Sequence, residues 1–413
     1  RALPEWMREI NAVQQVSNAK ACARRIQSTL VEIDAAQPLS EIYLGRDEEE
    51  GLLRKALAAP KAASPVYLHV SGFQGVGRRT FIRKSLSRLF PRYYESFIEI
   101  TAPQYGGIDD LYRSLYAVQV VSSLSDMIAD VERFSRSPID QQINDVVTLI
   151  KELAAEGNLV LVVDEFSVFD EEGDYNPYWR DLMEALREFD RPIIGFVQSR
   201  TQPYRLKMHY NRAFHLRLNE LTDESSRELI ALSLKAEGIE FDQNQLLQLS
   251  SLVDGHPYNL RFVVGYAKHY GLDVFLRDPR DFIEWKHRRG EEFLADLYFT
   301  ERQADIVSAL AEYRFLSADL LLALFSASID DLMEDLRVLQ DFCCVEFRNG
   351  YFHLSSPIRE STRRVGLFTR DEDWHRNIAQ RICDVLQDYK DDDHIPLSII
   401  ESATIAQARG AAA

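Results

Sequence analysis

The chain has 413 residues, 46% hydrophobic and 27% charged, with 48 basic residues against 65 acidic ones and a formal net charge of −17. That length exceeds what one hydrophobic core organises and predicts roughly two to four domains, while the composition excludes a disordered or membrane-embedded chain. The acidic balance argues against broad attraction to nucleic acid or to an anionic membrane surface. No run of about 18 apolar residues occurs and the N-terminus lacks the order of a signal peptide, so a cytoplasmic protein is expected. Cys22, Cys343, Cys344 and Cys383 have no zinc-ligand spacing and read as reduced structural thiols.

In chain order, residues 3–35 carry apolar positions at helical spacing (Trp6, Ile10, Val13, Val16) and suggest a connector or docking helix. The chain opens at Arg1 inside that segment, and a preceding domain that carries the output is expected. Helix is predicted for 48–57 and a linker for 58–65. From Pro65 short apolar runs alternate with helical stretches, the pattern of parallel α/β architecture. Strands are predicted at 66–70, 96–100, 159–163 and 193–198, with helices at 108–134 and 139–155.

Beyond residue 220 helices dominate, at 223–236, 243–253 and 259–270, followed by a charged linker, Arg277 to Gly290. Helices at 301–313, 318–325 and 329–341 then lead into two short apolar strands, 344–347 and 351–354, around Asn349-Gly350, a strong hairpin signal. Three helices and a hairpin make a winged-helix-like unit. The domains predicted are a connector (1–40), an α/β core (41–220) whose type the motifs below decide, an α-helical lid (221–290), a winged-helix-like domain (291–366) and a helical tail (367–413).

The most informative stretch is Ser71-Gly72-Phe73-Gln74-Gly75-Val76-Gly77-Arg78-Arg79-Thr80, where a strand runs through three glycines into a helix. Free backbone N–H groups and a helix N-terminus can there surround a phosphate chain. The P-loop pattern asks for Gly, four residues, Gly, Lys and then Ser or Thr. Gly72 and Gly77 fit, but Arg78 stands for the lysine and Arg79 for the hydroxyl residue, with Thr80 one position beyond. Arg78 retains donors for phosphate, whereas Arg79 cannot ligate Mg²⁺. A glycine turn without ligand is the plainer alternative.

The apolar strand 159–163 ends in Asp164-Glu165, the Walker-B arrangement: the first acid holds Mg²⁺ and the second orients the attacking water. A third run, 192–198, ends in Ser199-Arg200, and parallel strands deliver such ends to one crevice. Arg200 can therefore reach a terminal phosphate, or be an ordinary surface arginine.

In the order Gly45-Arg46, glycine loop, Val163-Asp164-Glu165, Ser199-Arg200, Gly255-His256-Pro257 and winged helix, residues 40–365 resemble the STAND class of signal-transduction NTPases, relatives of AAA+ ATPases. The resemblance implies that Tyr43, Leu44, Gly45 and Arg46 lie beside an adenine and that Pro257 sits at the base in the lid. It further implies that Arg200 senses the γ-phosphate and that His353 falls where members carry a winged-helix histidine contacting the diphosphate. Phe352 and Leu354 replace the usual neighbours of that histidine, and a plain hairpin histidine is the alternative. The implied cofactor is ATP or ADP, with Mg²⁺-dependent hydrolysis weakened by Arg78-Arg79.

The expected function is a nucleotide-binding switch that controls a homo-oligomer or a protein effector, in a setting such as bacterial antiphage defence. A DNA-binding, initiator-like ATPase and a nucleotide-free scaffold are the alternatives. Helix 329–341 carries Asp330, Asp331, Glu334 and Asp335 against Arg337, which opposes insertion into a DNA groove.

Overall fold

The computed structural model describes residues 42–91, 97–104, 106–119, 124–170, 173–202, 204–207, 212–325, 328–348, 350–362, 364–388, 400, 402 and 404–406. The predicted connector 1–40, Cys22, Asn349 and much of the predicted tail lie outside them. The elements in chain order are α1 (Asp47–Leu57), β1 (Tyr67–Ser71), α2 (Arg78–Leu89), β2 (Phe97–Ala102), α3 (Ile108–Gln119), α4 (Leu124–Ser135), α5 (Ile139–Ala155), β3 (Leu159–Asp164), α6 (Pro177–Ala185), β4 (Ile194–Gln198), α7 (Tyr204–Lys207) and β5 (Ala213–Arg217). There follow α8 (Asp223–Ala236), α9 (Gln243–Val253), α10 (Pro257–Tyr270), α11 (Leu272–Arg277), α12 (Arg280–Ala295), α13 (Glu301–Tyr313), α14 (Ala318–Phe325), α15 (Ile329–Asp341), β6 (Val345–Arg348), β7 (Tyr351–Leu354), α16 (Ser356–Thr362) and α17 (Glu372–Asp388). Among the described residues two compact units emerge, one holding 42–45 and 221–286, the other 46–220 and the residues from 287 onward.

In the larger unit the five strands form one parallel sheet in the order β2-β3-β4-β1-β5. β1 and β4 are buried along their whole length, and β3 at all but one position, which is why they read as unbroken apolar runs. Their C-terminal ends stand at one level, since Ser71 pairs with Gln198 and Asp164 also pairs with Gln198. β5 was not expected. Its Phe214-His215-Leu216 mixture at the sheet edge gives neither alternation nor an apolar run. α6 was also missed, although Pro177 at its first turn and buried Trp179, Leu182 and Met183 are a proper amphipathic helix. The helix predicted over 108–134 is two helices, α3 and α4.

The rest of this unit contains α13 to α15 followed by the antiparallel ribbon β6–β7, in which Val345 pairs with Leu354 and Glu346 with His353. A capping box between Thr300 and Gln303 starts α13. Ile306, Leu310, Leu320, Leu336, Val345, Phe352 and Ile358 build one apolar cluster, joined by Ile378 and Ile382 of α17. Three helices and a two-stranded ribbon thus lie in the segment where the sequence predicts a winged-helix-like domain.

The smaller unit is helical. Asp242 and Gln245 cap α9, which ends at Asp254 in the left-handed conformation. The buried ammonium of Lys286 bonds the Asp254 carboxylate at 3.2 Å and so fixes the turn before Pro257 opens α10. The charged linker expected at 277–290 is mostly helix α12, because Phe282 and Trp285 bury one side of it in the cluster around Phe262 and Lys286, its buried charge, is paired with Asp254. Among the described residues no helix is long and apolar enough to cross a membrane.

At the middle of the sheet the ring of His69 is stacked between Phe196, centroids 4.4 Å apart, and His215, at 4.6 Å, both being its partners in strand register. Burial holds the His69 imidazole neutral, pulling its pKa down to about 3, and lowers that of His215 in the same direction. An unfolded imidazole takes its proton near pH 6.5, whereas the folded one resists until about 3. The stabilisation is thus complete above about pH 6.5 and falls as acid is added, at up to about 1.4 kcal/mol per pH unit for each such group. Denaturant unfolding between pH 7 and pH 3 should show this decline, and His69→Gln should make it shallower; parallel profiles for the two proteins would refute the assignment.

Candidate functional site

The glycine loop leaves β1 at Ser71 and enters α2 at Arg78. Its geometry explains two of its glycines. At Gly72, φ is +146°, and a Cβ would lie 2.4 Å from the carbonyl oxygen of Leu218, so no side chain fits. Gly77 caps α2 in the left-handed conformation with φ +102°. Gly75 is also at positive φ, 93°. The N–H of Gly72 donates to Gln198 O at 3.2 Å and that of Val76 to Phe73 O at 3.2 Å, which ties the loop to the end of β4 and to itself. Arg46 adds an outside clamp: its Nη2 donates to Val76 O at 3.0 Å and to Asn219 O at 2.8 Å, and its Nη1 pairs with Glu49 at 2.9 Å.

Arg78 is buried, with 9% of its surface exposed. Its Nη1 donates to Gln198 O and, at 3.1 Å, to Ser199 Oγ, so the guanidinium lies across the end of β4. No carboxylate pairs with it among the described residues. Burial pulls its pKa down to about 10, the positive charges of Arg79 and Arg289 adding to the effect and Asp164 opposing it. Arg289 donates to Gln74 O at 2.6 Å, inside the loop. Arg79 points the other way and pairs with Glu99 of β2 at 2.8 Å. Thr80 is half-buried in the first turn of α2, a turn that contains no acid. A loop of backbone donors, a helix N-terminus and a cluster of guanidinium groups together favour a polyanion.

Asp164 closes β3. Its Oδ1 accepts the N–H groups of Ser167 at 2.7 Å and Val168 at 3.1 Å, and its Oδ2 accepts Gln198 Nε2 at 2.9 Å. Gln198 Oε1 in turn meets His69 Nδ1 at 2.8 Å, and His69 Nε2 meets the Tyr175 hydroxyl at 2.8 Å. All four side chains are buried. Desolvation raises the Asp164 pKa, opposed by these three bonds and by Arg200. Glu165 is exposed, with its N–H on Ala102 O at 2.9 Å.

Arg200 donates from Nη1 to Asp170 O at 2.6 Å and lies 5.4 Å from the Phe342 ring centroid, next to the turn after α15. That turn is bonded to the core at three further points. Thr201 N–H donates to Asp341 O at 2.8 Å, while Arg217 gives Nη1 to Gln340 O and Nη2 to Val345 O, both at 2.8 Å. Desolvation lifts the Asp341 carboxyl to about 6, against the attraction of Lys207, Arg200 and Arg217. His353 sits in the ribbon with Nε2 3.9 Å from Glu346 Oε2 and Nδ1 3.3 Å from Leu354 O. Of the other residues singled out by sequence, Tyr43, Gly45 and Pro257 belong to the smaller unit. There a Cβ on Gly45 would meet Ser225 at 2.7 Å, and Pro257 is the first residue of α10.

The structure thus brings together Arg46, the glycine loop, Arg78, Asp164 and Ser199. It adds Gln198, His69, Tyr175 and Arg289, which the sequence reading passed over. A histidine inside the apolar run 66–70 was the one available signal. No group of three metal-ligand side chains exists among the described residues.

A scan against protein-family models finds no match, and neither does a search of the curated proteins. Solved structures do match. The Walker-type ATPase Paby2304 of Pyrococcus abyssi superposes with a TM-score of 0.53 at 14% identity, over 80% of this chain and 99% of that one. Cdc6p from Pyrobaculum aerophilum gives a TM-score of 0.34 at 13% identity, over 85% and 97%. AMPPCP-bound DnaA from Aquifex aeolicus gives 0.40 at 14%, over 72% and 89%. With its parallel five-stranded sheet, glycine loop and helical C-terminal region, the chain has the fold of an AAA+-type P-loop NTPase.

Proposed function

We propose that the chain is a nucleotide-dependent conformational switch of the STAND kind, binding ATP or ADP at Gly72–Thr80 with weak or no hydrolysis and controlling self-association or a protein effector. In this reading 41–220 is the NTPase core, 221–290 a lid, 291–366 a winged-helix-like domain and 367–413 a tail. The observation that carries it is Arg78: a buried guanidinium beside a helix N-terminus, with no carboxylate upon it among the described residues. A buried charge is costly unless compensated, and the phosphates of a nucleotide supply the compensation. The Pyrococcus abyssi neighbour is described as a Walker-type ATPase, which accords with a nucleotide ligand.

The switch itself rests on the bonds from Arg217 and Thr201 to the turn after α15, and on Arg289, which touches the loop from α12. A ligand in the loop biases the docking of the C-terminal domain only if the two arrangements differ in their contacts to it. Tyr43, Gly45 and Pro257 are the proposed adenine contacts, Arg200 and Glu165 the groups facing a terminal phosphate and its attacking water, and His353 the ribbon residue nearest a diphosphate. The acids of α15 oppose a DNA-reading role: Asp335 is buried and bonded by Arg302 and Gln303, whereas Asp330, Asp331 and Glu334 are exposed, with Arg337 the one basic residue of the helix beside them.

Calorimetry with ATP and with ADP should detect binding to the wild-type protein. Gly77→Val should abolish it by blocking the left-handed cap, and Arg78→Gln should weaken it about tenfold or more, the scale of a lost charge-assisted bond. Unchanged affinity in both variants would remove the site assignment. Steady-state turnover should fall below the ordinary enzyme range of about 1–10³ s⁻¹; turnover inside that range, lost on Glu165→Gln, would contradict the impaired-hydrolysis reading. Arg217→Ala should increase hydrogen exchange in β6 and in the last turn of α15, because two backbone carbonyls lose their donor. Exchange rates identical to wild type would separate Arg217 from the switch.

A further inference from the structure

We propose that the nucleotide is bound here without a metal ion, the place of Mg²⁺ being taken by two internal groups: the Gln198 amide on Asp164 and the guanidinium of Arg78. The proposal rests on the nucleotide reading above and adds which ionic form of the ligand the site accepts.

Hydrogen-bond chemistry fixes the arrangement. An ionised carboxylate only accepts, so the Gln198 atom 2.9 Å from Asp164 Oδ2 is the NH₂ donor, and its Oε1 must face His69. Since Oε1 only accepts, His69 carries its proton on Nδ1, which leaves Nε2 to accept from the Tyr175 hydroxyl. Every bond in the chain from Tyr175 to Asp164 therefore runs in one direction. Turning the Gln198 amide away would unpair the buried carboxylate or His69, and each such loss costs about 1–3 kcal/mol. Asp164 Oδ1 is filled by two backbone N–H groups and Oδ2 accepts the Gln198 amide, so a cation would find one remaining acceptor site, on Oδ2 beside that amide.

The remaining donors fit Mg²⁺ no better. The ion asks for near-octahedral oxygen ligands, yet the position that supplies a P-loop hydroxyl is Arg79, which turns outward to Glu99. Arg78 already sets a positive charge across the end of β4, the strand neighbouring Asp164. A divalent cation beside it would meet repulsion in a poorly screened place. Gln198 is in this account a positioning residue that acts through Asp164, and Arg78 contacts the ligand.

Two measurements test the proposal. In the first, full-length protein is added to Mn²⁺–ADP and the sharp resonance of aqueous Mn²⁺ is followed by electron paramagnetic resonance. Metal-free binding extracts ADP and makes the signal grow, and calorimetric ADP affinity is lower in Mg²⁺ than in EDTA, because the ion competes for the free nucleotide. A shrinking signal, with affinity about tenfold or more higher in Mg²⁺, overturns the idea. In the second, protein without nucleotide is titrated with Mn²⁺ alone. Wild-type protein should take up none at this site, whereas Gln198→Ala combined with Arg79→Ser should gain one Mn²⁺ that Asp164→Asn removes. Uptake by the wild type that Asp164→Asn abolishes overturns the idea even if the double variant does not fold. Failure of ADP to bind in either buffer would count against the nucleotide reading, and the Mn²⁺ titration would still decide this one.

Discussion

Asp164 and Gln198 are the last residues of neighbouring parallel strands and stand at the same register level. A carboxylate at that point can only accept, and its demand for donors propagates through Gln198 and His69 to Tyr175, ordering side chains from β3, β4, β1 and the loop before α6. The same level of the sheet is where the Gly72 N–H donates to the Gln198 carbonyl and where Arg78 ends. One strand terminus thus serves the glycine loop through its backbone and the acidic strand through its side chain. A change of register by one residue would reverse the faces of both and dissolve the site.

The helices and ribbon from α13 onward use a different kind of contact with the sheet. The α15–β6 turn offers backbone carbonyls to Arg217 and to the N–H of Thr201, and an aromatic ring to Arg200. Carbonyl acceptors carry no net charge, so this interface commits no buried carboxylate to an ion pair and avoids the desolvation penalty such pairs incur. Asp341 is the exception, lying near Lys207, Arg200 and Arg217 with its pKa lifted to about 6 by burial.

Much of the architecture was legible because its signals are local. Buried parallel strands announce themselves as apolar runs, and the strand–glycine–helix and strand–acid–acid patterns each occupy ten residues or so. What escaped is non-local or compensated. The pairing of Gln198 with Asp164 and His69 depends on register between segments far apart in sequence, and a glutamine at a strand end looks like any polar terminus. β5 carries His215 for stacking against His69, which spoils its strand pattern. α12 was read as a linker because its many charges conceal Phe282 and Trp285, spaced three apart on the buried side. Arg46 was singled out through a family resemblance as a neighbour of the base; its hydrogen bonds make it a clamp on the loop backbone.

Phe73 has a position whose consequence reaches beyond ligand binding. It sits within the glycine loop, yet its ring packs edge-on against Phe293, centroids 5.1 Å apart, and belongs to the apolar cluster of α13 to α17 rather than to that of the sheet. The loop therefore shares a cooperative unit with residues more than two hundred positions later in the chain. Its order depends on a core built from residues that are synthesised after every strand of the sheet. The conformation of the glycine loop depends in this sense on a later part of the chain, and a truncated core would present the aromatic ring of its own glycine loop to water.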